Sequence, residues 1–156
     1  MYETILLPTD GSGPSDAARD HAISLASTYD ADLHVVYAVD DDTLRSARID
    51  SDVVVAGFEE EGKRLVEEVA AAAEAAGVSC ETTVIHGSPA EVITDYAAEH
   101  DIDLVVMGTH GRHGVQRILL GSVTERVVRT STAPVLTVQG EDADIKPPED
   151  DTDGGA

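Results

Sequence analysis

The chain has 156 residues, 42% of them hydrophobic, with 31 acidic side chains against 10 basic ones and a net charge of −21. That suits a single domain with enough apolar material for a core, and it lacks the broad basic footprint that sequence-independent nucleic-acid binding requires. No run of about 18 apolar residues is present, and Met1-Tyr2-Glu3-Thr4 sets no basic cluster before an apolar stretch. Neither a membrane span nor a secretory signal is expected. A single cysteine, Cys80, leaves no internal disulfide framework and fits a reducing cytoplasm. At −21, self-repulsion strains a compact fold in dilute buffer. At molar salt the Debye length falls to about 3 Å and the repulsion is screened, so the composition predicts a cytoplasmic protein of a salt-accumulating halophile.

Thr4-Ile5-Leu6-Leu7-Pro8 is a short apolar run that stops at Pro8-Thr9-Asp10-Gly11, and it predicts a first strand. Ala17, Ala18, Ala22, Leu25, Ala26 and Tyr29 recur at helical spacing over 14–29. Leu33 to Val39 is continuously apolar, as in a strand covered on both faces. A long helix is expected over 49–76, ending at Gly77, with its start blurred by the poor helix formers Val53-Val54-Val55 and Gly57. Ser79 to Ile85 sets Cys80, Thr82 and Val84 against Glu81, Thr83 and Ile85, the alternation of a half-exposed edge strand.

Ser88-Pro89-Ala90-Glu91 predicts a helix start, with Ser88 as N-cap, Pro89 in the first turn and Glu91 closing a capping box. That helix runs to about His100. Leu104 to Met107 predicts a buried strand, Val115 to Arg129 a helix, and Pro134 to Val138 the last strand. Residues 140–156 carry seven acids against Lys146 and have almost nothing to bury, so a folded domain over 1–139 followed by an acidic disordered tail is expected.

This alternation implies an α/β fold: an open parallel five-stranded sheet with helices on both faces, Rossmann-like, strand order 3-2-1-4-5. Ligands of such sheets bind beyond the carboxyl ends of the strands, where the strand order reverses. Two polar loops leave strand ends, Pro8 to Gly13 and Gly108 to Gly114, and the site is expected between them. The second loop is rich in glycine, which lets a backbone approach a ligand closely. It leads to Gly121-Ser122 and a helix start, and free N–H groups at such places cradle anions. Residues 108–135 carry Arg112, Arg117, Arg126 and Arg129 against Glu125 alone, four positive charges to one negative, a net of +3 inside an acidic chain.

Rival nucleotide folds lack their marks. No Gly-Lys-Ser/Thr triplet is present for a Walker loop, and no glycine stands three residues past Gly13 for a dinucleotide fingerprint. Lys63 and Lys146 are misplaced for a phosphoacceptor regulator of this topology. His110 and His113 are spaced as a metal pair, a role loop histidines seldom take.

The set Pro8-Thr9-Asp10-Gly11-Ser12, Gly108-x-x-Gly111, nine residues, Gly121-Ser122-Val123, and the closing Ala133-Pro134-Val135-Leu136 resembles the universal stress protein family in its ATP-binding branch, over residues 2–138. With the acidity, the resemblance suggests a halophilic archaeal member. It implies that Gly111, Gly121 and Ser122 hold a triphosphate through backbone N–H groups and a hydroxyl, with Arg112 and Arg117 adding positive potential. Thr9 and Asp10 would face ribose, phosphate or a bound Mg²⁺ or Mn²⁺ ion ligated by Asp10. Val39 matches a position whose backbone contacts adenine, Met107 and Gly108 form the opposite wall, and Thr124 lies near the phosphates. Pro8, His110 and Val123 complete the implied set. The resemblance also implies a homodimer through Val135 to Val138, and a stress sensor that binds ATP, or ADP or AMP, and signals to a protein partner. Two alternatives remain: a slow metal-dependent ATPase or phosphotransferase, and an interaction protein that binds AMP or no nucleotide. No residue of the sequence stands out as a general base, so no catalytic residue is expected.

Overall fold

The computed structural model describes residues 1–41, 44, 52–110 and 120–140. Among these residues, the strands and longer helices alternate in the order β1 (Thr4–Pro8), α1 (Gly13–Tyr29), β2 (Asp32–Val39), α2 (Asp52–Ala75), β3 (Cys80–His86), α3 (Pro89–Glu99), β4 (Leu104–Gly108), α4 (Ser122–Thr130) and β5 (Val135–Val138). All pairings are parallel, and the strand order is β3-β2-β1-β4-β5.

Period-two alternation divides the strands between two cores. Ile5 and Leu7 of β1 face one side with Leu33, Val35 and Tyr37 of β2, where Ala18, Ala22 and Ala26 of α1 and Leu65, Val66 and Val69 of α2 cover them. Leu6, Val36, Val105 and Met107 face the other side, under Ile93, Tyr96 and Ala97 of α3 and Val127 of α4. The alanine stripe of α1 lets that helix lie close on the sheet, and Leu6, Val35 and Val105 are wholly buried. β3 is an edge strand, as expected, but its exposure does not follow the expected alternation: Glu81 and Thr82, on opposite faces, are both exposed, while Thr83, Val84 and Ile85 are half-buried. Cys80 lies on it half-buried, its thiol pushed up to about 11 by burial and the nearby Glu74 and Glu81, far from the thiolate form that reacts. His34 is buried but satisfied, its Nδ1 2.7 Å from the Tyr96 hydroxyl.

Two expectations about helix starts are corrected. Ser88 occupies the N-cap of α3, but its side chain makes no capping hydrogen bond. The fixed φ of Pro89 at the first helical position sets the turn without it. The helix expected from Val115 onward begins at Ser122: Leu120 sits in a bend and Gly121 is the N-cap, with an extended ψ of 165°. The part of that helix placed at 115–119, and the acidic tail beyond Gly140, lie outside the described residues.

The direction of the chain leaving β1 and β4 creates the site. β1 leads to α1 on one face of the sheet, while β4, its neighbour, leads to α4 on the opposite face. The two exits diverge and leave a crevice at their carboxyl ends, the switch point of an open α/β sheet.

Candidate functional site

The crevice encloses about 420 Å³, within the size range of small-molecule sites. The sequence-predicted residues Pro8, Thr9, Asp10, Val39, Met107, Gly108, His110, Gly121, Ser122, Val123 and Thr124 all line it. Gly111, Arg112 and Arg117 lie outside the described residues.

The β1 exit is a chain of local hydrogen bonds. The Thr9 and Ser15 hydroxyls are 2.8 Å apart, and the Ser15 hydroxyl also accepts the Asp10 N–H at 3.3 Å. Asp10 Oδ1 accepts the Ser12 N–H at 2.9 Å, and Ser12 in turn caps α1 by accepting the Ser15 N–H. Gly11 has a φ of 79°, open to glycine at no steric cost. Asp10 is thereby oriented by its own loop rather than by the helix. Ser15, which the sequence did not single out, is the hub of this turn and also lines the crevice.

The β4 exit is equally ordered. The Thr124 hydroxyl donates to the Gly108 carbonyl at 2.8 Å, the Gly121 N–H donates to the Thr109 carbonyl at 2.7 Å, and the Thr109 hydroxyl lies 3.0 Å from His110 Nδ1. The Gly121 N–H is therefore committed within the protein, and the Thr124 hydroxyl braces the helix. What faces the crevice is the first turn of α4. Gly121 supplies no capping side chain, so the N–H groups of Ser122, Val123 and Thr124 are left without the intrahelical partners that later residues have. Together with the positive end of the helix dipole they form an anion seat.

Strand register decides which backbone groups of β2 look into the crevice. The Val39 carbonyl accepts the Gly87 N–H at 2.9 Å, so the backbone of Val39 faces β3. The Val36 carbonyl accepts the Thr9 N–H at 3.0 Å on the β1 side. Ala38, two residues beyond Val36, has the same orientation, and β1 ends at Pro8, paired with Val36. The Ala38 N–H and C=O therefore point past the end of β1. Ala38 thus offers a donor–acceptor pair to the crevice, one position from the expected Val39. Apolar side chains from both cores, including Tyr37, Val39, Phe58, Ile93 and Met107, line the rest of this end.

The cationic patch is smaller than the sequence suggests. Arg126 pairs with Glu91 at 3.3 Å and Arg129 with Glu125 at 3.2 Å, so two of the four arginines are balanced on the helix surface. No group of three or more His, Cys, Asp or Glu side chains is placed to hold a metal ion among the described residues. A divalent ion at Asp10 would take the rest of its ligands from phosphate and water, the usual habit of Mg²⁺, and the Asp10 carboxylate at the crevice wall fits that mode. No described helix is long and apolar enough to cross a membrane.

A family model of the universal stress protein family matches residues 1–139. The chain belongs to the universal stress protein family. Universal stress protein MJ0531 of Methanocaldococcus jannaschii is 38% identical over 141 residues, covering 89% of this chain and 83% of that protein. The solved structure of MJ0577 from the same organism superposes with a TM-score of 0.82 at 30% identity, covering 91% of this chain and 99% of that one. A universal stress protein solved in complex with cAMP superposes with a TM-score of 0.66 at 29% identity, covering 89% and 98% of the two chains. The strand order 3-2-1-4-5 is the order seen here.

Proposed function

We propose that this universal stress protein binds an adenine nucleotide, ATP foremost, in the crevice between β1 and β4, and reports nucleotide or stress status to a protein partner in the cytoplasm of a salt-accumulating cell. The observation that carries the reading is the pairing of two complementary ends in one crevice. The first-turn N–H groups of Ser122, Val123 and Thr124 suit phosphate oxygens. The Ala38 N–H and C=O suit the Watson–Crick edge of adenine, whose N1 accepts and whose amino group donates. Guanine presents the reverse pattern there. The cAMP complex of a relative supports the same class of ligand. Asp10 is the carboxylate suited to ribose hydroxyls or to a Mg²⁺ or Mn²⁺ ion among the phosphates. We further propose that two copies associate along β5.

The test is thermal stabilisation by ATP, ADP, AMP, cAMP and GTP at millimolar concentration, with mass spectrometry of any nucleotide released from the purified protein. ATP should raise the melting temperature and GTP should raise it far less. Equal or absent shifts for all five would overturn the reading.

A further inference from the structure

A histidine outside the expected site bridges two carboxylates at the base end of the crevice. His86, the last residue of β3, has Nδ1 2.9 Å from Asp41 Oδ2 and 3.1 Å from Asp41 Oδ1. Its Nε2 is 2.6 Å from Glu59 Oε1 on α2. Ionised carboxylates only accept hydrogen bonds, whereas a neutral imidazole carries a single N–H. Both bonds exist together only when the ring is an imidazolium. Loss of the proton turns one nitrogen lone pair toward a carboxylate, and that arm of the bridge repels.

Each member of the bridge adjoins the crevice wall. Asp41 follows Asp40, Glu59 follows Phe58, and His86 pairs in register with Val39, and all three neighbours line the crevice. The bridge thus ties the exit of β2, the body of α2 and the end of β3 into one wall. We propose that His86 is a positioning residue whose imidazolium clasps Asp41 to Glu59 and so sets the base end of the crevice, making nucleotide binding depend on a proton that the nucleotide never touches. The proposal rests on the nucleotide-binding reading above.

The charge environment agrees with the geometry. The Asp41 hydrogen bond is the largest influence on the ring, partial burial opposes it, and the Glu59 hydrogen bond adds to it, leaving an imidazole that holds its proton above the ordinary value of 6.5. A raised value in the folded state means that the clasp is complete below the ordinary value and is lost as pH rises through the folded-state one.

The experiment measures ATP affinity by calorimetry from pH 7 to pH 9, where the phosphates keep their charge, at one KCl concentration, alongside ¹³C–¹H NMR titration of the His86 ring. Asp41→Asn is the decisive variant, because its amide can donate to a neutral ring whose other nitrogen still donates to Glu59. Wild-type affinity should fall about threefold or more across the range. Asp41→Asn should show a much shallower dependence on pH, and His86→Gln should bind weakly throughout. Identical profiles for wild type and Asp41→Asn would overturn the proposal. If ATP fails to bind at any pH, the nucleotide reading falls and the proposal with it. The NMR titration then still judges the clasp itself, which a His86 value at or below the ordinary one would refute.

Discussion

The Thr124 hydroxyl donates to the Gly108 carbonyl across 2.8 Å and so fastens the head of α4 to the end of β4. Thr124 is 3% exposed. Its removal takes a donor from the half-buried Gly108 carbonyl, at a cost of about 0.5–1.5 kcal/mol. Thr124→Val keeps the shape and deletes the donor. It should lower stability in denaturant titration by that amount and reduce the ATP-induced thermal shift, since the anion seat at Ser122 then keeps only the Gly121–Thr109 bond to the β4 exit. Thr124→Ser should restore most of both. A Thr124→Val protein as stable as wild type would show that the bond carries no load.

Gly108 serves packing as much as any ligand. A Cβ built there would lie 2.7 Å from the Pro14 carbonyl carbon and 2.8 Å from the Pro14 Cβ, and neither is the end of a flexible side chain. Gly140 approaches the same proline, so the start of α1 is wedged between two glycines. Gly108→Ala should therefore displace Pro14 and cost about 1–3 kcal/mol as overpacking. Because α1 begins directly after the Thr9–Ser12 turn, ATP affinity should fall as well. Denaturant titration without nucleotide separates the two effects, and an unchanged midpoint would contradict the wedge.

The fold was almost fully legible because buried parallel strands advertise themselves as apolar runs. Leu33 to Val39 and Leu104 to Met107 needed no other signal, and the alternation of Cys80 to Ile85 marked the edge. The start of α4 was not legible, because apolar and basic residues at helical spacing run on from Val115 through Leu120 and nothing but Gly121 interrupts them. Within the site, residue types revealed which loops converge but not which backbone groups are free. Ala38 and Val39 differ only in the strand each faces. That depends on β1 ending opposite Val36, a property of register rather than of local sequence. The His86 clasp joins positions 41, 59 and 86, and no local motif announces it.

Asp103 predicts an acid-labile tether. Its Oδ2 accepts the N–H groups of Glu3 at 2.9 Å and Thr4 at 3.0 Å, and the Thr4 hydroxyl at 3.3 Å. These bonds, the Glu3 one foremost, hold the carboxyl below its ordinary value of 3.8. A depressed value in the folded state gives stability that is present above the unfolded value and is lost as pH falls through the folded one. Asp103→Asn should thus be less stable than wild type at pH 6, with the gap closing as pH is lowered below about 4. Urea titrations across that range at constant KCl check it, and a gap independent of pH would contradict the charge-based account.

Salt should stabilise the fold. With a net charge of −21, repulsion among exposed carboxylates opposes compaction, and raising KCl from about 0.1 M to about 1 M shortens the Debye length from about 10 Å to about 3 Å. The melting temperature should climb steadily over that range. The exposed ion pairs work the other way, because Arg64–Glu68 and Arg129–Glu125 are themselves screened. Each such pair contributes only about 0.3–0.5 kcal/mol, so repulsion should dominate. Equal melting temperatures at low and molar KCl would remove the case for a halophilic source.

The proposed dimer can be broken at one side chain. β5 pairs with β4 on one side and ends the sheet on the other, leaving its outer N–H and C=O groups as a template for another strand. Leu136 is 38% exposed on this strand and Val135 is half-buried beside it, apolar surface of the kind an edge strand usually avoids. Two copies related by a two-fold axis would pair β5 with β5 and cover both. Light scattering at molar KCl should give twice the 16.4 kDa chain mass. Leu136→Asp should give the monomer, because its carboxylate would meet its own symmetry mate in a chain already short of cations. Leu136 is not among the residues that line the crevice, so the monomer should retain its ATP-induced thermal shift. A wild-type protein that scatters as a monomer would end the claim.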